Sequence, residues 1–359
     1  MEELERRSPD PAAGAASDGQ RYGSADLLER VAHQAPRVHI NTGAVCNNNC
    51  VFCMEEDRDA RERENGALTF EDVKTILARS AGAEEICFTS GEPTTNPRLP
   101  DYVRAARGQG FARVSVMTNG RMLSQVPYAQ QLLLAGLNRF YVSIHGHEPR
   151  LHEGLTRTPG SFAQTVRGLD VLGTFRRRFP LDLHTSTVIT RRNLPHLGDI
   201  YRFLRAHGVD QVVFNVMQAN GRADTHFEQI FPRYTEIAAA FRAFLDGAEE
   251  TRAGQPVMAF LVDIPPCTTE GIADFNRGYV EAHTHYGALE EAARLFGAAD
   301  LLPEGRSATA NLVELRRSDL DATRRLHRDE CQPCRYRATC EGVWGNYLRR
   351  HGWDEFQPV

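Results

Sequence analysis

The chain has 359 residues, 41% of them hydrophobic and 25% charged, and its 42 basic and 47 acidic side chains leave a net charge of −5. That length suits one large α/β domain plus a smaller one. The near-balance of charge gives no reason to expect a nucleic-acid or membrane surface, and no apolar run is long enough to span a bilayer.

Residues 1–36 begin with Glu and Arg, then Pro, Ala, Gly and Ser, and have no apolar signal core. A disordered tail, a short helix at 25–35 and a cytoplasmic location are expected. Strands are predicted at 37–42, 85–89, 112–117, 139–144, 181–190 and 211–216. Helices are predicted at 70–77, 99–109, 125–135, 161–175 and 196–207, with Thr69 and Ser161 as N-caps. The charged stretch 54–66 is a surface loop. Six strands alternating with helices predict an α/β fold, a parallel sheet closed part-way into a (β/α)6 barrel, with its chemistry at the carboxyl ends of the strands. Beyond residue 220 the pattern changes. A helix at 234–245 is followed by an apolar strand candidate at 257–262, which Pro265 and Pro266 stop just before Cys267. Residues 279–296 mix helix signals with histidines, and 311–315 suggest a further strand. The domain boundaries expected are 1–36, 37–220 and 221–359.

The eight cysteines fall into groups of three, one and four. Cys46, Cys50 and Cys53 have C-x3-C-x2-C spacing in an Asn-rich loop after the first strand. Three thiolates this close can hold three corners of a cubane iron–sulfur cluster and leave one iron open to another ligand. A zinc site would want a fourth nearby Cys or His, and none lies between Cys53 and residue 80. Cys87, inside the second strand, reads as a small buried hydrophobe. Further polar motifs follow the strands: Ser90-Gly91-Glu92-Pro93, Thr118-Asn119-Gly120, Ser143-Ile144-His145-Gly146-His147 and Asn215-Val216-Met217-Gln218. Taken alone, each is an ordinary turn.

The cysteine spacing, with Phe52 before the third cysteine, resembles the radical S-adenosylmethionine (radical SAM) superfamily, and the resemblance covers most of residues 37–217. It implies the same partial barrel, a [4Fe–4S] cluster with an open iron site, and S-adenosylmethionine bound to that iron. One electron from the reduced cluster then yields a 5′-deoxyadenosyl radical. Gly91-Glu92-Pro93 resembles the family's Gly-Gly-Glu-Pro motif, with Ser90 in place of the first glycine. By that resemblance Phe52, Gly91 and Glu92 bind the cofactor, with Glu92 taking its ammonium. Thr118 and Asn119 reach its carboxylate, Ser143 the methionyl or ribose end, and the backbone near Val216 and Met217 the adenine. His145 and His147 are placed either facing the substrate or in structural roles.

Cys331, Cys334 and Cys340 have C-x2-C-x5-C spacing, which resembles the cysteine block of SPASM and twitch extensions. Cys267 is the expected distant fourth ligand of an auxiliary [4Fe–4S] cluster, with zinc the alternative. The less favoured role for Cys267 is a free thiol that donates hydrogen to a substrate radical. The full SPASM pattern has another cysteine where this chain has Trp344, so the shorter twitch type is the better match.

The expected activity is hydrogen abstraction from a small polar natural-product substrate, sugar-containing ones included, giving epimerisation or dehydrogenation. An external electron donor such as flavodoxin or ferredoxin is expected. No nucleic-acid or membrane partner is. A maturase of ribosomally made peptides is the alternative enzyme, and an iron–sulfur electron carrier or sensor the alternative outside catalysis.

Overall fold

A computed structural model describes residues 37–54, 68–81, 83–219, 221–273, 275–276, 325–337 and 340–359. The tail and helix expected before residue 37, most of the 54–66 loop, and the elements expected at 279–296 and 311–315 lie outside these residues.

Seven strands pair in chain order: β1 Arg37–Asn41, β2 Glu85–Thr89, β3 Arg113–Thr118, β4 Arg139–Ser143, β5 Asp182–Ile189, β6 Gln211–Val216 and β7 Ala259–Val262. Every pair is parallel. Among the described residues the sheet stays open, with β1 and β7 as its edges, as a partial barrel should. The strand pattern predicts six; the seventh is the apolar 257–262 run, which joins the same sheet beside β6.

Helices follow the strands: α1 Phe70–Arg79, α2 Leu99–Gly108, α3 Val126–Ala135, α4 Pro149–Thr156, α5 Ser161–Phe175, α6 Leu197–Ala206 and α7 Tyr234–Gly247. Thr69 caps α1 with a capping box: its hydroxyl accepts from Asp72 N at 3.2 Å, and its own N–H donates to Asp72 at 2.8 Å. At α5 the cap is Gly160, at φ +78°, and Ser161 is the first helical residue. Its hydroxyl instead shares a 2.9 Å hydrogen bond with Thr156. Helix α4 was not expected; its Pro149 sits in the first turn, where the missing N–H costs nothing.

Alternation along the strands sorts the side chains by face. Val38, Ile40, Ile86, Phe88, Val114, Val116, Phe140 and Val142 are buried in the apolar core with Ile76, Leu77, Tyr102 and Leu132 of the helices. The opposite face is polar. Arg139 pairs with Glu85 at 2.8 Å and with Asp182 at 2.7 Å, Arg37 lies 3.8 Å from Glu85, and Ser115 and Tyr141 donate to Glu85. These groups sit at the amino ends of the strands and plug that end of the sheet. The candidate site residues gather at the other end.

At the C-terminus, β8 Arg325–Leu326 and β9 Val343–Trp344 form a short antiparallel ladder, and α8 Gly345–His351 follows. Tyr347 of α8 packs its ring against Phe227, Phe231 and Tyr234. Trp344 is buried, with the Arg325 guanidinium 4.2 Å over its ring.

Candidate functional site

The chain leaves β1 through Thr42, whose N–H donates to Thr89 O at 2.8 Å, and enters the cysteine loop. That loop is held from several sides. Arg121, after β3, donates to Asn47 O and to Asn48 Oδ1, and Asn119 Nδ2 donates to Asn47 Oδ1. Arg222, after β6, donates to Asn49 Oδ1 and Cys50 O, while its N–H meets Cys53 O at 3.0 Å. The end of α4 accepts the Asn49 and Val51 N–H groups. Cys46, Cys50 and Cys53 are half-buried, no disulfide joins any of the eight cysteines, and Asn48 N–H points at Cys46 Sγ from 3.4 Å.

Gly91 fits this loop as no other residue can. Its φ is +56°, and a Cβ there would lie 2.5 Å from Val45 O and 2.6 Å from Gly43 O. The next N–H, of Glu92, donates to Val45 O at 2.7 Å. Ser90 takes φ +72°, a left-handed conformation that favours glycine, which is the physical content of the departure at that position.

Glu92 is 3% exposed. Its Oε1 accepts from Thr94 N, Thr94 Oγ1 and Thr118 Oγ1, and its Oε2 accepts from Asn119 N at 2.6 Å. Burial pushes its pKa up, and the four donors offset only part of that. Among the described residues no cation pairs with it.

A cavity of about 260 Å³ lies between these parts. Cys46, Cys50, Cys53, Phe52, Gly91, Glu92, Thr118, Asn119, Ser143 and Met217 all line it, and so does His145. The side chain of Val216 does not: it points the other way along β6 and is buried in the helix-side core, as alternation requires. His147 is absent from the lining. Four lining residues carried no sequence signal for this role: Asn48 and Met54 of the cysteine loop, Val188 at the end of β5, and Asp263. Asp263 directly follows β7, takes φ +65°, and pairs with Arg325 at 2.6 Å.

His145 is held in one tautomer. Its Nδ1 accepts from Val188 N–H at 3.2 Å, so the proton sits on Nε2. Its ring meets Phe52 edge-on at 4.7 Å, and its backbone N–H donates to His152 Nδ1 at 3.1 Å. Burial, then the neighbouring His152, holds its pKa well below the usual imidazole value.

Residues 40–204 match the family described as the Radical SAM superfamily. The chain carries a radical SAM domain. Curated relatives include an AdoMet-dependent heme synthase of Oleidesulfovibrio alaskensis, 29% identical over 203 residues, which are 55% of this chain and 50% of that protein. A probable GTP 3′,8-cyclase of Saccharolobus islandicus is 30% identical over 145 residues, covering 40% of this chain and 45% of that one. The chain thus spans about half the length of these relatives. Among solved structures, native anSMEcpe with bound AdoMet and Cp18Cys peptide is 14% identical, with a TM-score of 0.55, over 89% of this chain and 95% of that one. At that identity the likeness shows the fold.

A radical SAM domain works with a [4Fe–4S] cluster and S-adenosylmethionine, and the residues present fit both. Three unbridged thiols share one cavity wall, and two guanidiniums fix the loop that carries them. Glu92 offers a buried carboxylate with no counter-cation among the described residues, suited to an ammonium.

The C-terminal cysteines also converge. Burial, then Cys340, Cys334 and Cys331, pushes the Cys267 thiol up to about 12, and burial pushes Cys340 up to about 11 with Cys334 and Cys331 adding to it. The Cys267 thiol therefore lies within electrostatic reach of the other three, although no three of these sulfurs lie within 4.8 Å of one another. Gly342 N–H points at Cys340 Sγ from 3.4 Å, as Asn48 does at Cys46. This cysteine-rich end is compatible with an auxiliary cluster.

Proposed function

We propose that this protein is a radical SAM enzyme that abstracts hydrogen from a small polar substrate, with residues 37–220 as its core and 221–359 as an auxiliary-cluster domain. The observation that carries the reading is the single cavity in which three cysteines and the buried carboxylate of Glu92 share walls at the carboxyl ends of the strands. Bound there, the cluster supplies the electron that cleaves the cofactor's sulfonium. Cys46, Cys50 and Cys53 hold the cluster. Glu92 receives the ammonium of S-adenosylmethionine, Thr118 and Asn119 orient that end, and Ser143, Met217 and Phe52 border the rest. Asn215, Gln218 and Asp263 make the remaining wall polar, which supports a substrate with hydroxyl or amine groups.

Cys267, Cys331, Cys334 and Cys340 ligate an auxiliary [4Fe–4S] cluster. Four thiolates would leave such a cluster no iron open to substrate and would suit it to taking up an electron, so dehydrogenation is favoured over epimerisation. A one-electron donor of the flavodoxin or ferredoxin type supplies the reductant. Peptide modification is the second reading, favoured by the structural likeness to a protein solved with a bound peptide.

Anaerobic reconstitution should give roughly eight irons per chain, four per cubane. Replacing Cys46, Cys50 and Cys53 together by Ala should leave about half. Stoichiometric zinc at the C-terminal cysteines of protein made with ample iron would refute the auxiliary cluster. In deuterated water dehydrogenation leaves no deuterium on substrate carbon, whereas epimerisation through a thiol donor installs one.

A further inference from the structure

The turn after β4 carries a second histidine, His147, which does not line the cavity. Its ring centroid lies 5.3 Å from that of His196, which comes from the turn leading into α6. His196 Nδ1 is 3.3 Å from Asp199 Oδ2, one turn further along. One ligand atom from each of the three lies within 4.8 Å of the other two, the one such grouping of His, Cys, Asp or Glu among the described residues.

Several features set this trio apart from a solvated surface pair. His147 Nδ1 is buried and has no hydrogen-bond partner among the described residues. A pairing of His196 with Asp199 alone leaves that nitrogen unexplained. Arg202 donates to Asp199 Oδ1, which leaves Oδ2 turned to the imidazole. The two histidine-bearing segments are also fixed to each other. Asn193 is fully buried, donates through Nδ2 to His145 O at 3.0 Å, and accepts the His196 N–H at 2.9 Å. The positions are therefore set by backbone, and His196 and Asp199, both half-exposed, are able to adjust by rotation of their side chains.

We propose that His147, His196 and Asp199 form a binding site for a divalent transition metal of the zinc type, independent of both cysteine groups. Two imidazoles and one carboxylate are a recognised ligand set for zinc and its neighbours. Bonds of about 2.1 Å would draw the three ligand atoms to roughly 3.4 Å apart. The Arg202 contact then serves to orient the carboxylate, as outer-shell partners of metal ligands do. A metal here ties the turn that holds His145 in the cavity wall to the start of α6.

The test uses the reconstituted protein with iron in its cysteine sites, so that thiolates do not compete, titrated anaerobically with Zn²⁺ alone. The expected result is about one added zinc with a nitrogen and oxygen shell by X-ray absorption. His147→Ala and His196→Ala, on separate elements, should each weaken uptake at least about tenfold, with iron content unchanged. Equal uptake by wild type and both variants would place the zinc elsewhere and overturn the site. So would a sulfur shell, or no zinc retained by the wild type.

Discussion

Glu92 is a buried acid whose ionisation the fold itself disfavours. Its carboxylate is buried, its pKa is raised by that burial, and no described cation offsets it. An arriving ammonium would favour the ionised form and gain a charge-assisted contact. Glu92→Gln keeps the shape and removes the charge. It should weaken S-adenosylmethionine binding about tenfold or more, the scale of a hydrogen bond to a charged group. The cluster should still assemble. Equilibrium dialysis against labelled cofactor measures the first effect. Unchanged affinity would mean that the ammonium lies elsewhere. His145 differs in kind: its tautomer is locked and its pKa sits well below 6.5, so it serves as an uncharged donor at neutral pH.

At the scale of elements, the site is two loops folded onto each other. The cysteine loop after β1 and the Gly91–Glu92 turn after β2 share the Glu92 N–H to Val45 O bond, and Gly91 allows the approach. Gly91→Ala would put a Cβ 2.5 Å from a carbonyl oxygen while holding a left-handed φ. The expected outcome is loss of the iron held by Cys46, Cys50 and Cys53, with the C-terminal iron kept; retention of both would show that the loops can part. Much of this scale was legible beforehand. β2 and β6 have the predicted bounds because their apolar periodicity is strong and turn residues flank them. β7 was seen as an apolar run but not as a sheet member, since 42 residues separate it from β6 and pairing is a tertiary choice. Of the pair Val216 and Met217, whose backbone was expected beside the adenine, alternation sends the Val216 side chain to the helices and places Met217 on the cavity wall. The clamps Arg121 and Arg222 were missed because a single arginine in a loop carries no pattern. Asp263 was missed because its meaning depends on β7.

At the scale of the whole molecule, the described residues put a polar plug at one end of the sheet and the cysteine-lined cavity at the other. Buried histidines lie between them and beside the cavity. Burial lowers His152 and His184 to about 4, and lowers His145 as well. In the unfolded chain these imidazoles take protons near pH 6.5, whereas the native state refuses them. Folding stability should therefore be fully present above pH 6.5 and fall as the pH drops towards 4. The loss is about 1.4 kcal/mol per pH unit for each histidine. Urea midpoints at pH 7.5, 6 and 5 would record the decline, and a flat series would show that these rings are solvated. The C-terminal block is joined to the core by charge as well as packing. Arg325 bridges Asp263 at the cavity to Glu341, the neighbour of Cys340.

The most direct test is the release of 5′-deoxyadenosine from S-adenosylmethionine by anaerobically reconstituted, dithionite-reduced protein, followed by chromatography. Wild type should form it, and Cys50→Ala, which lacks one cavity thiolate but keeps the C-terminal iron, should form none. A fully iron-loaded wild type that leaves S-adenosylmethionine intact, or a Cys50→Ala protein that cleaves it as well as wild type, would contradict the assignment of this cavity.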